Sequence, residues 1–262
     1  MDLRALQSTL SDLPLGSMAY FNVLDSTNAQ AERWVENGVR HLSLVVADEQ
    51  TAGRGRSGRA WFTPRGAALA FSLILRSEQI GSASIPRLTG LGALAVCEVL
   101  QREYDLQAQI KWPNDVLVGG RKLTGVLVEA DWLGDEIRSA VLGIGINVAP
   151  DSVPPESEAG FPATCVETAL GSPIDRWTLL KEVLRVLLSR LLDIDQDEFL
   201  QAWEGNLAYQ REWVQLLREG SEPVIGRLLG LRSDGSLRLV LPNGEEVFFQ
   251  AGEIHLRKVD RS

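Results

Sequence analysis

The sequence predicts an α+β fold, a sheet with helices followed by a small C-terminal β-barrel, and three observations carry it. Short apolar runs at 42–47 and 67–75 alternate with segments whose apolar residues recur at helical spacing. A Gly119-Gly120 pair separates two β-favouring stretches, which signals a tight hairpin. From about Glu212 onward the chain changes to short strands with turns at Gly220, Ser233-Asp234-Gly235 and Pro242-Asn243-Gly244, the rhythm of a small barrel. A boundary near Tyr209 divides the chain into 1–209 and 210–262, and 262 residues suit one or two domains.

In chain order, Asp25-Ser26-Thr27-Asn28 precedes an apolar-periodic stretch, and Thr27 with Gln30 has capping-box spacing, which predicts a helix ending at Gly38. Leu42 to Ala47 and Ala67 to Leu75 read as buried strands that hold a Gly/Arg-rich loop between them. Leu88, Leu91, Leu94, Ala95 and Val99 predict a core helix over 86–104 that buries Cys97. Gln109 to Trp112 is a strand ending at Pro113-Asn114-Asp115, and Val116 to Val118 leads into the hairpin turn. The return strand, Lys122 to Glu129, is followed by a turn at 131–135 and a strand at 138–148, completing an antiparallel meander. Pro154, Pro155 and neighbouring acids mark 151–160 as an exposed loop, and 176–192 and 197–208 read as amphipathic helices.

Composition excludes several function classes. The net charge of −9 repels a nucleic-acid backbone unless one face is locally basic. Cys97 and Cys165 are the only cysteines and form no CxxC, so neither a disulfide framework nor a zinc site is indicated, and a reducing cytoplasm fits. With His41 and His255 the only histidines, any metal needs oxygen ligands. No secretory signal is legible, and no apolar stretch reaches the roughly 20 residues of a membrane span.

Three constellations can carry chemistry. Between Gln50 and Ser77 the chain holds five arginines (Arg54, Arg56, Arg59, Arg65 and Arg76) and no acid. In Gly53-Arg54-Gly55-Arg56-Ser57-Gly58-Arg59-Ala60-Trp61 the glycines permit close approach to an anion and the guanidinium groups offer paired donors, which suits a loop closing over a phosphate-bearing ligand. A solvated basic loop or an RNA-contacting patch has the same composition. The spacing is neither a Walker loop nor a dinucleotide fingerprint. Second, Lys111, Asp115 and Lys122 could converge across the hairpin, and Asn114-Asp115 can offer oxygens to Mg²⁺; the plain alternative is turn chemistry with exposed lysines. Third, period two places Gly143, Gly145 and Asn147 on one strand face, stripped of side chains where a helix or a flat ligand packs.

Taken together, Ser26-Thr27-Asn28, Gln50, the loop from Gly53 to Trp61, Lys111 to Asp115, Arg121 to Gly125 and Gly143 to Asn147 resemble, in order and spacing, the biotin protein ligases. The resemblance is strong from about Leu24 to Val148 and weak through the C-terminal strands. It implies a mixed sheet related to class II aminoacyl-tRNA synthetases and lipoate ligases, followed by an SH3-like barrel. It also implies two half-reactions: biotin and MgATP give biotinyl-5′-AMP and pyrophosphate, then a lysine of a biotin carboxyl carrier protein of acetyl-CoA carboxylase attacks the mixed anhydride. On this resemblance Arg56, Lys122, Lys111 and Asp115 are catalytic. Ser26, Thr27, Asn28, Gln50, Gly53, Arg54, Gly55, Arg56, Trp61, Lys122, Gly125, Gly143 and Gly145 hold biotin. Arg54, Arg56, Arg59, Lys111, Asn114, Lys122 and Asn147 hold ATP and its phosphates, and Asp115 with Asn147 helps hold Mg²⁺.

Two departures from relatives shape further expectations. Only 25 residues precede Ser26, too few for the winged helix-turn-helix of the repressor-type relatives, so DNA binding is not expected. No tryptophan lies near Ala163-Thr164-Cys165, where some relatives stack adenine. Relatives form homodimers through a sheet edge, a point on which this sequence is silent. The competing readings are a lipoate or octanoate ligase or transferase, with Cys165 as an acyl-accepting thiol, and a non-catalytic nucleic-acid-binding regulator.

Overall fold

The computed structural model describes residues 2–134, 136–155, 161–218, 222–250 and 254–259. Its centre is a seven-stranded sheet of β1 (Met18–Phe21), β2 (Ser43–Ala47), β3 (Ala68–Arg76), β4 (Ala108–Lys111), β5 (Asp115–Val118), β6 (Arg121–Leu133) and β7 (Glu136–Asn147). The spatial order is β1-β2-β3-β7-β6-β5-β4. β1 runs parallel to β2 and every other pair is antiparallel, which makes the sheet mixed. Gly119 and Gly120, with φ of 57° and 72°, form the two-residue turn between β5 and β6, a conformation glycine adopts without a Cβ penalty.

The two faces of the sheet are covered unequally, and this creates the site. On β7, Ala140, Leu142, Ile144 and Ile146 point into the main core, beneath α4 (Leu88–Tyr104) and α6 (Arg176–Leu192). A Cβ at Gly92 of α4 would stand 2.9 Å from Val126 Cγ1, so the helix lies close on the strands. Among the described residues, the helix on the opposite face is α2 (Thr27–Glu36), whose Ala31 and Val35 pack on Val45, Ile74 and Val141. Ten residues of helix span only about 15 Å and reach β2, β3 and β7. The face over the cavity ends of β7, β6 and β5 is therefore left for a loop and a ligand.

Four further helices are α1 (Leu3–Thr9), α3 (Ser77–Ile80), α5 (Val166–Leu170) and α7 (Asp197–Gly205). The expected barrel takes the form of a five-stranded antiparallel sheet of β8 (Trp213–Arg218), β9 (Val224–Leu231), β10 (Leu237–Val240), β11 (Glu246–Phe249) and β12 (Ile254–Lys258), in the order β11-β10-β9-β8-β12. Among the described residues β11 and β12 do not pair, so no closed barrel is seen. Val214, Leu216, Leu228, Leu237 and Leu256 of this sheet join the main core. Trp112 Nε1 donates to Gly235 O at 3.1 Å, fixing the β4–β5 turn against it.

Several boundaries differ from expectation. Ser26, not Thr27, caps α2, accepting from Ala29 N at 3.5 Å, because the Thr27 amide and hydroxyl both donate to Gln50 Oε1 instead. Residues 131–133 continue β6 rather than turning, since cross-strand pairing persists to Leu133 and Glu136 and leaves only Gly134, at φ 63°, as a described turn residue. The helix expected to reach 208 stops at Gly205, where the chain leaves to bridge Leu207 to Ile110. Asp135, residues 156–160 of the exposed loop, the turn at Gly220 and the side chain of His255 lie outside the described residues. Among the described residues no helix is long and apolar enough to cross a membrane.

Candidate active site

A cavity of about 360 Å³ opens where the sheet face is uncovered. Its floor is a consequence of strand register: Asp115 pairs with Gly125, Gly125 with Gly145, and Gly145 with Ala70, so small residues from three adjacent strands stand in one row. Trp61 lies across that row. A Cβ at Gly125 would stand 2.9 Å from Trp61 Cζ3, and one at Gly145 would stand 2.8 Å from Trp61 Cζ2, so neither position accepts a side chain while the ring is there. The indole Nε1 is buried with no hydrogen-bond partner.

At one end the mouth of α2 supplies polar groups. Thr27 N donates to Gln50 Oε1 at 2.8 Å, and Gln50 Nε2 donates to Thr63 Oγ1 at 3.0 Å. Asn28 is 4% exposed, and both ends of its amide are engaged. Ser72 Oγ donates to Oδ1 at 2.6 Å and Nδ2 donates to Glu129 Oε2 at 2.6 Å. Gly143 makes this possible, because any Cβ there would lie only 2.8 Å from Asn28 Cγ.

The Gly/Arg loop closes the cavity from above. Its stem is a short ladder, with bridges between Gln50 and Thr63 and between Arg54 and Ala60 and a bond from Trp61 N to Gly53 O at 2.8 Å. Its tip is one helical turn, Arg56–Gly58, in which Ser57 takes φ 54° and Gly58 φ 69°. Arg56 Nη1 donates to Asn114 Oδ1 at 3.0 Å, and Arg59 Nε donates to Arg56 O at 3.4 Å. Arg54 bridges Glu32 and Glu129, 3.1 Å from each. Burial alone would depress the Arg54 guanidinium, but the two carboxylates outweigh it and hold the group more firmly protonated.

The other end is cationic. Lys122 Nζ lies 2.6 Å from Asp115 Oδ1 and 5.5 Å from the Trp61 ring centre, and Lys111 Nζ lies 3.8 Å from Asp115 Oδ2. The convergence across the hairpin is thus present. Burial depresses the Lys111 ammonium; Asp115 opposes this, while Lys122, Arg59 and Arg257 reinforce it. Lys111 also sits 4.0 Å above the Phe161 ring. Phe161 is carried there by a bridge between Lys122 and Ala163, with Lys122 N donating to Pro162 O at 2.7 Å. Asn147 Nδ2 donates to Thr164 O at 3.1 Å, which leaves its amide oxygen available.

Ser26, Thr27, Asn28, Gln50, Gly53, Arg54, Gly55, Arg56, Arg59, Trp61, Asn114, Lys122, Gly125, Gly143, Gly145 and Asn147 all line this one cavity. Lys111 and Asp115 stand behind Lys122 rather than on the wall. The sequence reading missed Glu129, Ser72 and Phe161. Counting by twos from Gly125 along β6 reaches Glu129, so period two held the signal; no local pattern ties Phe161 to the site. Among the described residues no group of three or more His, Cys, Asp or Glu could hold a metal ion by itself.

Residues 20–147 match the biotin/lipoate A/B protein ligase family. The bifunctional ligase/repressor BirA of Bacillus subtilis is 35% identical over 239 residues, covering 89% of this chain and 72% of that protein. The biotin--[acetyl-CoA-carboxylase] ligase of Paracoccus denitrificans is 34% identical over 230 residues, covering 85% and 94%. The structure of the Aquifex aeolicus biotin protein ligase in complex with biotin and ATP superimposes with a TM-score of 0.78 at 31% identity, covering 93% of this chain and 99% of that one. With that identity, coverage and superposition, the chain belongs to the biotin protein ligases.

Proposed function

We propose that this chain activates biotin with ATP to biotinyl-5′-AMP and transfers the biotinyl group to a lysine of a biotin carboxyl carrier protein of acetyl-CoA carboxylase. The observation that carries this is the polarity of one cavity. A hydrogen-bonding helix mouth stands at one end, Arg56, Lys111 and Lys122 stand at the other, and a glycine floor lies between. Relatives bearing the corresponding names and ligands support it.

In the first step a biotin carboxylate oxygen bonds to the α-phosphorus of ATP and pyrophosphate leaves. Both reactants are anions, so cations placed beforehand lower the barrier without reorganising. Lys122 and Arg56 take that part, with Lys111 behind Lys122, while Arg54 and Arg59 order the loop and Asn114 steers Arg56. Ser26, Thr27, Asn28 and Gln50 form the end that receives the ureido ring, and Trp61 covers the apolar ring and tail over Gly125, Gly143 and Gly145. Gly53 and Gly55 let the loop backbone close. The closed loop keeps water from the acyl phosphate until a carrier lysine attacks the acyl carbon and AMP leaves.

The donor set fits Mg²⁺ brought by the nucleotide. Such an ion is usually held by one or two protein oxygens and the substrate phosphates. Here the Asn147 amide oxygen faces the cavity and would hold it, whereas the expected second ligand, Asp115, is paired with Lys122 and Lys111 behind the wall; when bound the ion neutralises phosphate charge. The division into a catalytic unit, 1–209, and an SH3-like unit, 210–262, belongs to the same reading. It is supported by a second sheet whose strands all follow residue 212 and by the positive φ at Tyr209 and Arg211 where the chain crosses over.

The test is ATP–pyrophosphate exchange with labelled pyrophosphate in Mg²⁺, supplied with biotin, lipoate, octanoate or no acid. Exchange with biotin alone is expected; exchange with lipoate would reassign the chain, and none with any acid would refute adenylation. No observation favours the acyl-thiol alternative, because Cys165 is fully buried, donates to Thr168 Oγ1 at 3.0 Å and does not line the cavity. The arginine loop likewise offers little to a nucleic acid, since Arg54 and Arg65 are paired with Glu32, Glu129 and Glu49.

A further inference from the structure

We propose that Glu129 is a positioning residue that couples the polar end of the biotin cavity to the arginine loop, one carboxylate oxygen orienting Asn28 and the other anchoring Arg54. The inference rests on the reading of this cavity as the biotin site and adds to it a residue for retention of the acyl-adenylate.

The geometry is specific. Oε2 accepts from Asn28 Nδ2 at 2.6 Å, and Oε1 lies 3.1 Å from Arg54 Nη1. Asn28 belongs to α2, Arg54 to the loop and Glu129 to β6, so a single carboxylate joins three separate parts of the cavity wall. The bond to Asn28 is charge-assisted, and with the Ser72 hydroxyl on Oδ1 it dictates which end of the amide faces which neighbour. A glutamine has a single acceptor oxygen, so while that oxygen satisfies the Asn28 amide its NH2 group faces the guanidinium; only the carboxylate accepts from both.

Sheet register makes the placement deliberate. Leu127 pairs with Gly143, and Glu129 is two residues further along β6 on the same face, where the missing Gly143 side chain leaves room for Asn28 to lie flat and reach it. Glu32 from α2 meets the same guanidinium at 3.1 Å. Two carboxylates on one arginine resist each other, and burial together with the Glu129 charge makes Glu32 harder to ionise. Glu129, the less exposed of the two at 29% against 38%, is therefore the stronger anchor, and Glu32 the auxiliary one. With Arg54 held, the loop stem from Gly53 to Trp61 is held, and Trp61 stays over the glycine floor.

The test uses the full chain and the substitutions Glu129→Gln, Arg54→Gln, their double variant, and Glu32→Gln. Three quantities are measured: the KM values for biotin and for ATP in pyrophosphate exchange, the dissociation rate of biotinyl-5′-AMP, and the melting temperature. The expected result for Glu129→Gln is a biotin KM and an adenylate dissociation rate each raised about tenfold, with the ATP KM changed less than twofold and melting little altered. Arg54→Gln should match it, the double variant should be no worse than either single one, and Glu32→Gln should fall short of both. Glu129→Gln with unchanged adenylate retention, or a double variant whose defects multiply, would overturn the proposal. Should Glu129→Gln fail to fold, Arg54→Gln decides alone: unchanged retention overturns the coupling, and faster release supports it. Wild-type protein that shows no biotin-dependent exchange would refute the function reading instead, and so distinguishes the two.

Discussion

Gly143→Ala tests most directly how the cavity is built. The new Cβ would stand 2.8 Å from Asn28 Cγ and 3.0 Å from Nδ2, well inside van der Waals separation, so either the amide or the strand must move. Asn28 is 4% exposed and both ends of its amide are engaged, each at 2.6 Å. Displacing it deprives the fully buried Ser72 hydroxyl and one oxygen of Glu129. Leaving a buried polar group unsatisfied costs about 1–3 kcal/mol, and relieving a strand glycine returns about 0.5–1 kcal/mol. The net loss is up to about 2.5 kcal/mol, which for a chain of this size lowers the melting temperature by up to roughly 5–10 °C. Because Asn28 lines the cavity, displacing its amide alters the wall, and biotin affinity should fall with stability, by about tenfold. Thermal unfolding and calorimetric biotin titration of the two proteins read both numbers. A Gly143→Ala protein with unchanged melting temperature and unchanged biotin affinity would refute the argument that Asn28 is pinned against β7.

Further perturbations address the remaining parts. Arg56→Gly removes the donor to Asn114 at the loop tip and should release biotinyl-5′-AMP, detected as biotinylation of bystander lysines; full retention of the intermediate would count against its role. The Lys111 ammonium is depressed below the ordinary 10.5, chiefly by burial, so between its folded value and 10.5 the unfolded chain binds more protons and stability rises with pH. Urea unfolding at pH 7 and 10 should therefore show the wild type gaining relative to Lys111→Met, and a parallel pair of profiles would contradict this. Burial and the neighbouring Glu98 push the Cys97 thiol up to about 12, so iodoacetamide at pH 8 should leave it intact in the native state and label it only in urea. Cys165→Ala should keep biotin-dependent exchange, whereas its abolition would revive the acyl-thiol reading.

The parts of this molecule legible in the sequence are those whose causes are local. Gly119-Gly120 needs left-handed φ at both positions, and the hairpin followed from that alone. Period two on β7 placed Gly143, Gly145 and Asn147 on one face before any partner was known. Elsewhere the deciding contact was distant. Thr27 has the spacing of a capping residue, yet its hydroxyl is taken by Gln50, 23 residues on, and Ser26 caps in its place. β1 is only four residues long and earns its strand by pairing in parallel with β2, a crossover that local patterning does not encode. Phe161 reaches the cavity through the bridge from Lys122 to Ala163, a pairing across 41 positions. The C-terminal part reads as short strands forming a small barrel; the strands are present, but closure depends on the outer strands meeting, which turn spacing does not determine.

The distribution of charge explains how an acidic chain keeps a cationic cavity without ligand. Removing unpaired charges from water is costly, and breaking a buried pair leaves the survivor uncompensated. Each key cation here is already engaged: Lys122 and Lys111 by Asp115, Arg54 by Glu129 and Glu32, and Arg56 by the Asn114 amide. At the Lys122 end, among the described residues, one carboxylate serves two ammonium groups. A triphosphate and a carboxylate arriving there complete a balance that the protein leaves half made, whereas at the Arg54 end two carboxylates serve one guanidinium and a further anion is repelled. The asymmetry therefore orients the substrate as well as binding it. On the proposed function, the acid end of biotin is drawn toward Lys122 and Arg56, and its neutral ureido ring is left for the helix mouth beside Asn28.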